Sequence, residues 1–366
     1  MENPELVAMP VESHKRRMPS NNKDKQNPVP PSQTGENTSN TDNAFGNFSH
    51  IREALKSRGV PQKACELILG SWRKSTKKQY NTYIDKWISF CGNNVDPFRP
   101  NINWVLKFLT QLYDKGLTYR SICLARSAIS AFVKICGGKN INESEELTRF
   151  LKGVFIARPA LPKYNAVWDV SKVLTLLKTV DESNLFLLSC KLSILFLLLS
   201  AQRCQTLHLI NKEDVTVEKD RVIIYPNHLL KQSKPGHHQN LIVLHAYKKD
   251  RKLCIVRIFS EYLRRTEALR TGEKLLISSI KPHKPVSKDT VSRWVKFIML
   301  KAGIEANFKP HSTRAVAVST ANRYGVNLQT IIKTAGWANA TTFAKFYNKP
   351  VQKQAKTIQE AILAAQ

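Results

Sequence analysis

The sequence predicts a mainly helical protein with one small antiparallel β-sheet, divided into two folded domains. Three observations carry this. Apolar residues recur at three- and four-residue spacing from about residue 51 onward. Between residues 214 and 245 that period gives way to short β-branched runs separated by turn residues. Between the two helical stretches, Arg158-Pro-Ala-Leu-Pro-Lys163 places two prolines where they discourage helix and mark a linker.

Residues 1–45 are rich in Pro, Asn, Ser, Thr, Lys and Glu and poor in large apolar side chains, the composition of a disordered tail. Within it, His14-Lys-Arg-Arg17 with Lys23 and Lys25 reads either as a nuclear import signal or as a solvated charge cluster. Residues 46–157 read as a domain of four or five helices. Arg52–Arg58 and Lys63–Leu69 are short helices around Pro61. Ser75–Cys91 spaces Tyr80, Tyr83, Ile84, Trp87 and Phe90 along one face. Asn103–Tyr113 does the same with Val105, Phe108, Leu109 and Leu112, and Tyr119–Ile135 with Ile122, Ala125, Ile129 and Phe132. The polar faces hold Arg73, Lys74, Lys77, Lys78, Lys86, Arg120 and Arg126. The cluster from Arg73 to Lys78 sits at a helix start, which suits phosphate contact; an ordinary bundle with solvated lysines is the plainer alternative.

Residues 158–165 form the linker, and residues 166–350 a second domain. Val170–Val180 and Asn184–Ser200 are helices. Asp214–Val217, Arg221–Tyr225 and Asn240–His245 are strands. Helices resume at Leu253–Leu269, Lys288–Lys301, Ser312–Tyr324, Leu328–Thr334 and Ala340–Phe346. A last helix, Val351–Ala364, lies in the terminal segment 351–366 and carries Ile358, Ala361 and Ile362 with little charge.

The charge balance is strongly positive, 57 Lys+Arg against 28 Asp+Glu for a net +29. Residues 1–50 contain five basic and six acidic side chains, so the folded part carries the whole excess. Such a field favours a polyanion, with nucleic acid ahead of a membrane surface. The 7 cysteines are scattered singly with no Cys-x-x-Cys pair or Cys/His spacing for zinc, which fits a reducing intracellular compartment and no metal site. The polar N-terminus is not that of a signal peptide. The longest apolar run, Leu185–Leu199, is interrupted by Ser189, Lys191 and Ser193 and reads as a buried helix rather than a bilayer span.

The chemistry concentrates near the C-terminus. His311 and Arg314 are three apart and share a helix face. Ala335-Gly-Trp337 follows, then Tyr347 within Phe343-Ala-Lys-Phe-Tyr347. An Arg–His pair can grip a phosphate, and a tyrosine hydroxyl can attack one. Cleaving a phosphodiester without a metal needs a nucleophile, cationic donors on the non-bridging oxygens and a proton for the leaving oxygen. Arg203 follows the most apolar helix, where a charge should be paired or functional.

Pro310-His-Ser-Thr-Arg-Ala-Val-Ala317, Gly336-Trp337 and Tyr347 together resemble the catalytic core of the tyrosine recombinase (phage integrase) family. The resemblance runs from about residue 60 to 350. Ser71-Trp-Arg-Lys-Ser-Thr-Lys-Lys-Gln-Tyr80 and Ala201-Gln-Arg-Cys-Gln-Thr206 are most similar to recombinases of DIRS-type or Crypton-type eukaryotic mobile elements. The resemblance implies a SAM-like core-binding domain and an α+β catalytic domain forming a C-shaped clamp on double-stranded DNA. It implies dimers to tetramers on DNA and strand exchange through a 3′-phosphotyrosyl intermediate, without cofactor or ATP, for integration or excision of a mobile element in the nucleus. Carried over by position, Tyr347 is the nucleophile, Arg203 and Arg314 are the paired arginines, and His311 completes the second box. Trp337 stands where many members have histidine and can donate from its indole N–H but not shuttle a proton. Thr206 stands where an acidic residue is usual. The general acid is Lys231 in Leu229-Leu-Lys-Gln-Ser-Lys-Pro-Gly236, with Lys234 as the alternative and otherwise a DNA contact. By the resemblance the last helix is expected to dock in trans on a neighbouring protomer, the alternative being that it packs back on its own domain.

Two rival functions use much of the same sequence. A type IB topoisomerase would need nearly the same residues, and a catalytically silent DNA-binding protein derived from a mobile element would keep the basic helical domain. Retention of Arg203, His311, Arg314 and Tyr347 together argues against the silent form.

Overall fold

The structure, a computed structural model, describes residues 48–161, 164–228, 233, 240–337 and 339–351. The tail 1–45, Lys231, Lys234 and the terminal helix beyond Val351 lie outside the described residues. The chain divides into two compact units, Met1–Ala160 and Leu161–Gln366.

The first unit is helical: α1 (Ser49–Ser57), α2 (Gln62–Gly70), α3 (Lys74–Cys91), α4 (Ile102–Asp114), α5 (Tyr119–Ile135), a 3-10 turn (Ile141–Glu143) and α6 (Glu145–Ala157). The starts of α4, α5 and α6 are capped by Asn101, Thr118 and Ser144, whose side chains accept from Asn103, Ser121 and Leu147 N–H. The apolar faces expected from spacing are the ones that close the core, with Ile84, Trp87, Phe108, Leu109, Ile122, Ile129 and Phe132 all buried. Trp87 stands edge-on to Phe108 at 5.4 Å, and its indole N–H donates to the Pro97 carbonyl at 3.1 Å. After α5 the chain passes so close to the loop before α4 that a Cβ on Gly138 would lie 2.2 Å from the Phe98 carbonyl oxygen, so glycine is required there. Helix α6 is not among the helices expected from apolar spacing, although Ser144 followed by Glu145 and Glu146 is a helix-start signal.

The second unit contains α7 (Val170–Thr179), α8 (Leu185–Ser200), α9 (Cys204–Leu209), strands β1 (Val215–Val217), β2 (Arg221–Ile224) and β3 (Ile242–His245), then α10 (Ile255–Thr266), α11 (Lys288–Lys301), α12 (Ser312–Arg323), α13 (Leu328–Ala335) and α14 (Thr341–Phe346). Short 3-10 turns, Arg251–Leu253 and Glu267–Leu269, bracket α10, so the single helix expected over 253–269 is three pieces. The sheet is antiparallel in the order β1-β2-β3, with Val217 opposite Val222 and Ile224 opposite Ile242. Its alternation sends Val222, Ile224, Ile242 and Leu244 into the core.

Helix α8 is apolar on every side and is buried from Leu188 to Leu198, packed by α10, α11 and α12. Its one charge, Lys191, is fully buried. The Lys191 ammonium donates to the Leu177 carbonyl at 2.5 Å and to Glu182 at 2.8 Å. Arg257 on α10 grips the same carboxylate through two nitrogens, each at 2.6 Å. Burial opposes the Glu182 carboxylate, yet hydrogen bonds and charge from Arg257 and Lys191 hold its pKa at about 2.

Glu182 therefore stabilises the fold fully above the ordinary carboxylate pKa of 4.5, and the contribution is lost as pH falls through about 2. Glu182→Gln is expected to cost about 3 kcal/mol at pH 7, because Lys191 is left buried with no counter-charge. Urea unfolding over a pH series should show the gap to the parent protein narrowing between those two values.

Candidate active site

The site is assembled where five helices of the second unit end or begin. Helix α8 stops at Ala201, which takes a left-handed conformation at φ 51° and ψ 23°. The next turn makes Arg203 the extended residue that opens α9. Helix α12 starts after Pro310, with His311 at its N-cap and Arg314 in its first turn. Helix α13 ends at Ala335, and Gly336 reverses the chain at φ 66°, so that the Trp337 N–H returns to the Ile332 carbonyl at 3.0 Å.

Arg314 ties these ends together. It is fully buried, and its two terminal nitrogens donate to the Ala201 and Ala335 carbonyls, each at 2.6 Å. Its guanidinium carbon lies 4.8 Å from the Trp337 ring centre and 5.8 Å from that of Tyr347. The two aromatic rings are 4.7 Å apart and tilted by 36°. Tyr347 comes directly after the last residue of α14, is half-buried, and brings its hydroxyl within 3.5 Å of His311 Nε2. Four of the expected residues, His311, Arg314, Trp337 and Tyr347, thus meet in one place, with Arg203 close enough for its charge to act on Arg314.

Electrostatically the site is a positive hole. Neither Arg203 nor Arg314 pairs with a carboxylate among the described residues. Burial pushes the Arg314 pKa down to about 10 and the Arg203 charge pushes the same way, while Tyr347 acts in the opposite direction. Arg314 remains cationic at neutral pH. Arg314 Nε and Trp337 Nε1 are buried donors without a hydrogen-bond partner among the described residues. Leaving each such group unsatisfied costs about 1–3 kcal/mol. An anion with several acceptor oxygens would remove both penalties and balance the charge.

Thr206 does not stand in for the missing acid. It is buried, and its hydroxyl meets Gln202 Oε1 at 3.3 Å. Gln202 Nε2 in turn donates to the Thr334 carbonyl at 3.0 Å, binding the turn after α8 to the end of α13. Gln202 has no role that its sequence pattern predicts, because nothing in the pattern indicates a backbone acceptor. Ser319, Lys349 and Tyr164, which contact the segment around Tyr347, are equally silent in the sequence, since isolated polar residues carry no spacing signal.

In the first unit, Arg73, Lys74, Lys78 and Arg120 are exposed. Lys77 corrects the expectation of a solvent-facing lysine. It is only 7% exposed, because it falls on the face of α3 that carries Ile84, Trp87 and Cys91. Arg126 is partly buried and turned toward Asn142, at 2.8 Å.

Comparison with known proteins places the chain in a family. Residues 167–354 match the sequence model of the phage integrase family, just over half of the chain. The tyrosine recombinase XerA of Pyrococcus furiosus is 25% identical over 311 residues, covering 83% of this chain and 93% of its own. In fold, the chain is similar to the Tn1549 transposon integrase in complex with transposon right end DNA, with a TM-score of 0.53 at 14% identity, over 86% of this chain and 97% of that one. It is similar also to a lambda integrase dimer bound to a core site, with a TM-score of 0.51 at 17% identity, over 84% and 96% of the two chains. With the sequence match spanning every residue of the assembled site, the chain belongs to the phage integrase family.

Proposed function

We propose that this protein is a site-specific DNA recombinase that cuts and rejoins strands through a covalent tyrosine intermediate. The observation that carries the reading is Arg314: a buried cation with no counter-charge among the described residues, its own Nε and the nearby Trp337 N–H unsatisfied, within reach of the Arg203 charge and in contact with a half-buried tyrosine. A phosphodiester supplies what that hole lacks, and Tyr347 is near enough to attack it.

In this reading the Tyr347 oxygen bonds to phosphorus as the bond from phosphorus to the 5′-oxygen breaks. The tyrosine proton passes to His311 Nε2, 3.5 Å away. Arg314, Arg203 and the Trp337 N–H hold the charge that builds on the non-bridging oxygens. The leaving 5′-oxygen takes its proton from a lysine, Lys231 or Lys234, in the segment between β2 and β3. The phosphotyrosyl bond conserves the energy of the one that was cut, so attack by a 5′-hydroxyl from another strand reverses the step without ATP.

Double-stranded DNA is the partner, and dimers to tetramers on it are the working form. The likeness to a DNA-bound lambda integrase dimer supports this, as do the exposed Arg73, Lys74, Lys78 and Arg120. The finer reading is a recombinase of a DIRS-type or Crypton-type mobile element acting in the nucleus for integration or excision. It is supported by the Ser71–Tyr80 and Ala201–Thr206 boxes and by the basic cluster His14–Arg17.

Tyr347→Phe is expected to bind DNA as the parent does and to form no denaturant-resistant adduct on a nicked suicide duplex; an adduct in that variant would remove Tyr347 from the mechanism. Trp337→Phe keeps a ring between Arg314 and Tyr347 and loses the N–H, so single-turnover cleavage should fall on the order of 10²-fold with little change in affinity. Lys74→Ala with Lys78→Ala should weaken binding to all duplexes alike and lower the salt-dependence slope by about 1 for each phosphate no longer neutralised. Paired-site recombination exceeding relaxation of a supercoiled plasmid separates this function from that of a topoisomerase.

A further inference from the structure

The hydroxyl contact between Tyr347 and His311 joins two segments that are distant in sequence, and neither segment fixes its own position. His311 stands at the N-cap position of α12 without a side-chain capping bond, and Tyr347 lies just beyond the six-residue α14. A set of hydrogen bonds behind the site does the fixing. Ser319, on α12 and 1% exposed, donates its hydroxyl hydrogen to the Tyr347 carbonyl. The same Ser319 oxygen accepts from the Lys349 N–H at 3.3 Å. One side chain thereby holds the backbone on both sides of Asn348, from the helix that also carries Arg314.

The second half of the set comes from residues 164–168, just after the boundary between the units. The Val167 N–H donates to the Pro350 carbonyl at 2.8 Å, and Val167 and Val351 pair as a parallel bridge. The Lys349 ammonium donates to the Tyr164 carbonyl. The Tyr164 hydroxyl donates to the Asn307 carbonyl and accepts from the Lys309 N–H, both at 3.0 Å, and its ring stacks on Phe308 at 4.9 Å. Trp168 then donates to the Ser312 hydroxyl at 2.8 Å. The segment leading into His311 and the segment trailing from Tyr347 are stapled to the same short strap, residues 164–168.

We propose that Ser319 and Tyr164 are positioning residues that together set the distance between Tyr347 and His311, Ser319 from the helix side and Tyr164 from the strap. Neither touches the reacting phosphate. Their effect is on the attack itself, because an oxygen nucleophile displaced by about 1 Å can lose on the order of 10²-fold in rate. This inference rests on Tyr347 being the nucleophile.

The test is single-turnover cleavage of a nicked suicide duplex by the full-length protein, with DNA affinity and melting temperature measured beside it. Ser319→Ala should cleave roughly 10–100-fold more slowly at unchanged affinity. Ser319→Cys, which keeps a weak donor of similar size, should recover part of the rate. Tyr164→Phe keeps the stack on Phe308, loses both hydroxyl contacts, and should also slow cleavage. A 5′-bridging phosphorothiolate, whose leaving sulfur needs no proton, should not rescue any of these variants, because the defect lies in the attacking group. Parent-like cleavage by both Ser319→Ala and Tyr164→Phe, with no adduct from Tyr347→Phe, would overturn the positioning role and leave the nucleophile in place. So would a rate loss that merely tracks the unfolded fraction, or full rescue by the phosphorothiolate. An adduct from Tyr347→Phe would instead overturn the underlying reading. If Ser319→Ala does not fold, Tyr164→Phe alone decides.

Discussion

The second unit is organised around a single guanidinium. Arg314 hydrogen-bonds the carbonyls of Ala201 and Ala335, the residues at which α8 and α13 end. Carbonyls at helix C-termini carry partial negative charge, so they suit a cation they only partly neutralise. The remaining charge is what makes the place receptive to an anion. The same contacts that fold the end of α8 onto the end of α13 therefore also gather Arg203, Trp337 and Tyr347 around one guanidinium. Structure and chemistry share the residue, and it cannot be changed for one purpose without loss to the other.

Further from the site the unit handles charge in the opposite way. Lys191 lies deep in α8, but Glu182 and Arg257 form a closed ionic cluster with it, joined by short hydrogen bonds. That cluster locks the turn before α8 to α10. One end of α8 is thus held by cations that share a carboxylate and the other by a cation that has none among the described residues. A rigid apolar helix with one fixed end is a suitable platform for the precise placement of the residues beyond its other end, and Arg203 is three residues beyond Ser200.

Features that depend on side-chain period and on boxes of adjacent residues were legible in the sequence. The helical faces of α3, α4 and α5, the sheet, and the grouping of His311, Arg314, Trp337 and Tyr347 belong to this class. Contacts made by backbone were not legible, because any residue offers a carbonyl. That is why Ala201 and Ala335, the acceptors for Arg314, and Gln202, which reaches the Thr334 carbonyl, could not be anticipated. Lys77 departs from its expected exposure for a different reason. A lysine counts as polar in a pattern, yet its long stem can lie along a buried face. Helix α9, six residues long, is too short to show a period at all.

The left-handed turn at Ala201 has a consequence for how the site tolerates change. A non-glycine residue in that conformation carries a conformational cost of about 1–2 kcal/mol. Glycine would relieve it, yet alanine is present, with its methyl in the apolar cluster formed by Val318, Ile331, Ile332, Ala335, Trp337 and Phe343. The strain is thus exchanged for stiffness: the methyl denies the chain the extra backbone states that glycine would open two residues before Arg203. Glycine at this point would relieve the strain, remove a buried methyl and loosen the pivot from which one of the two arginines is aimed.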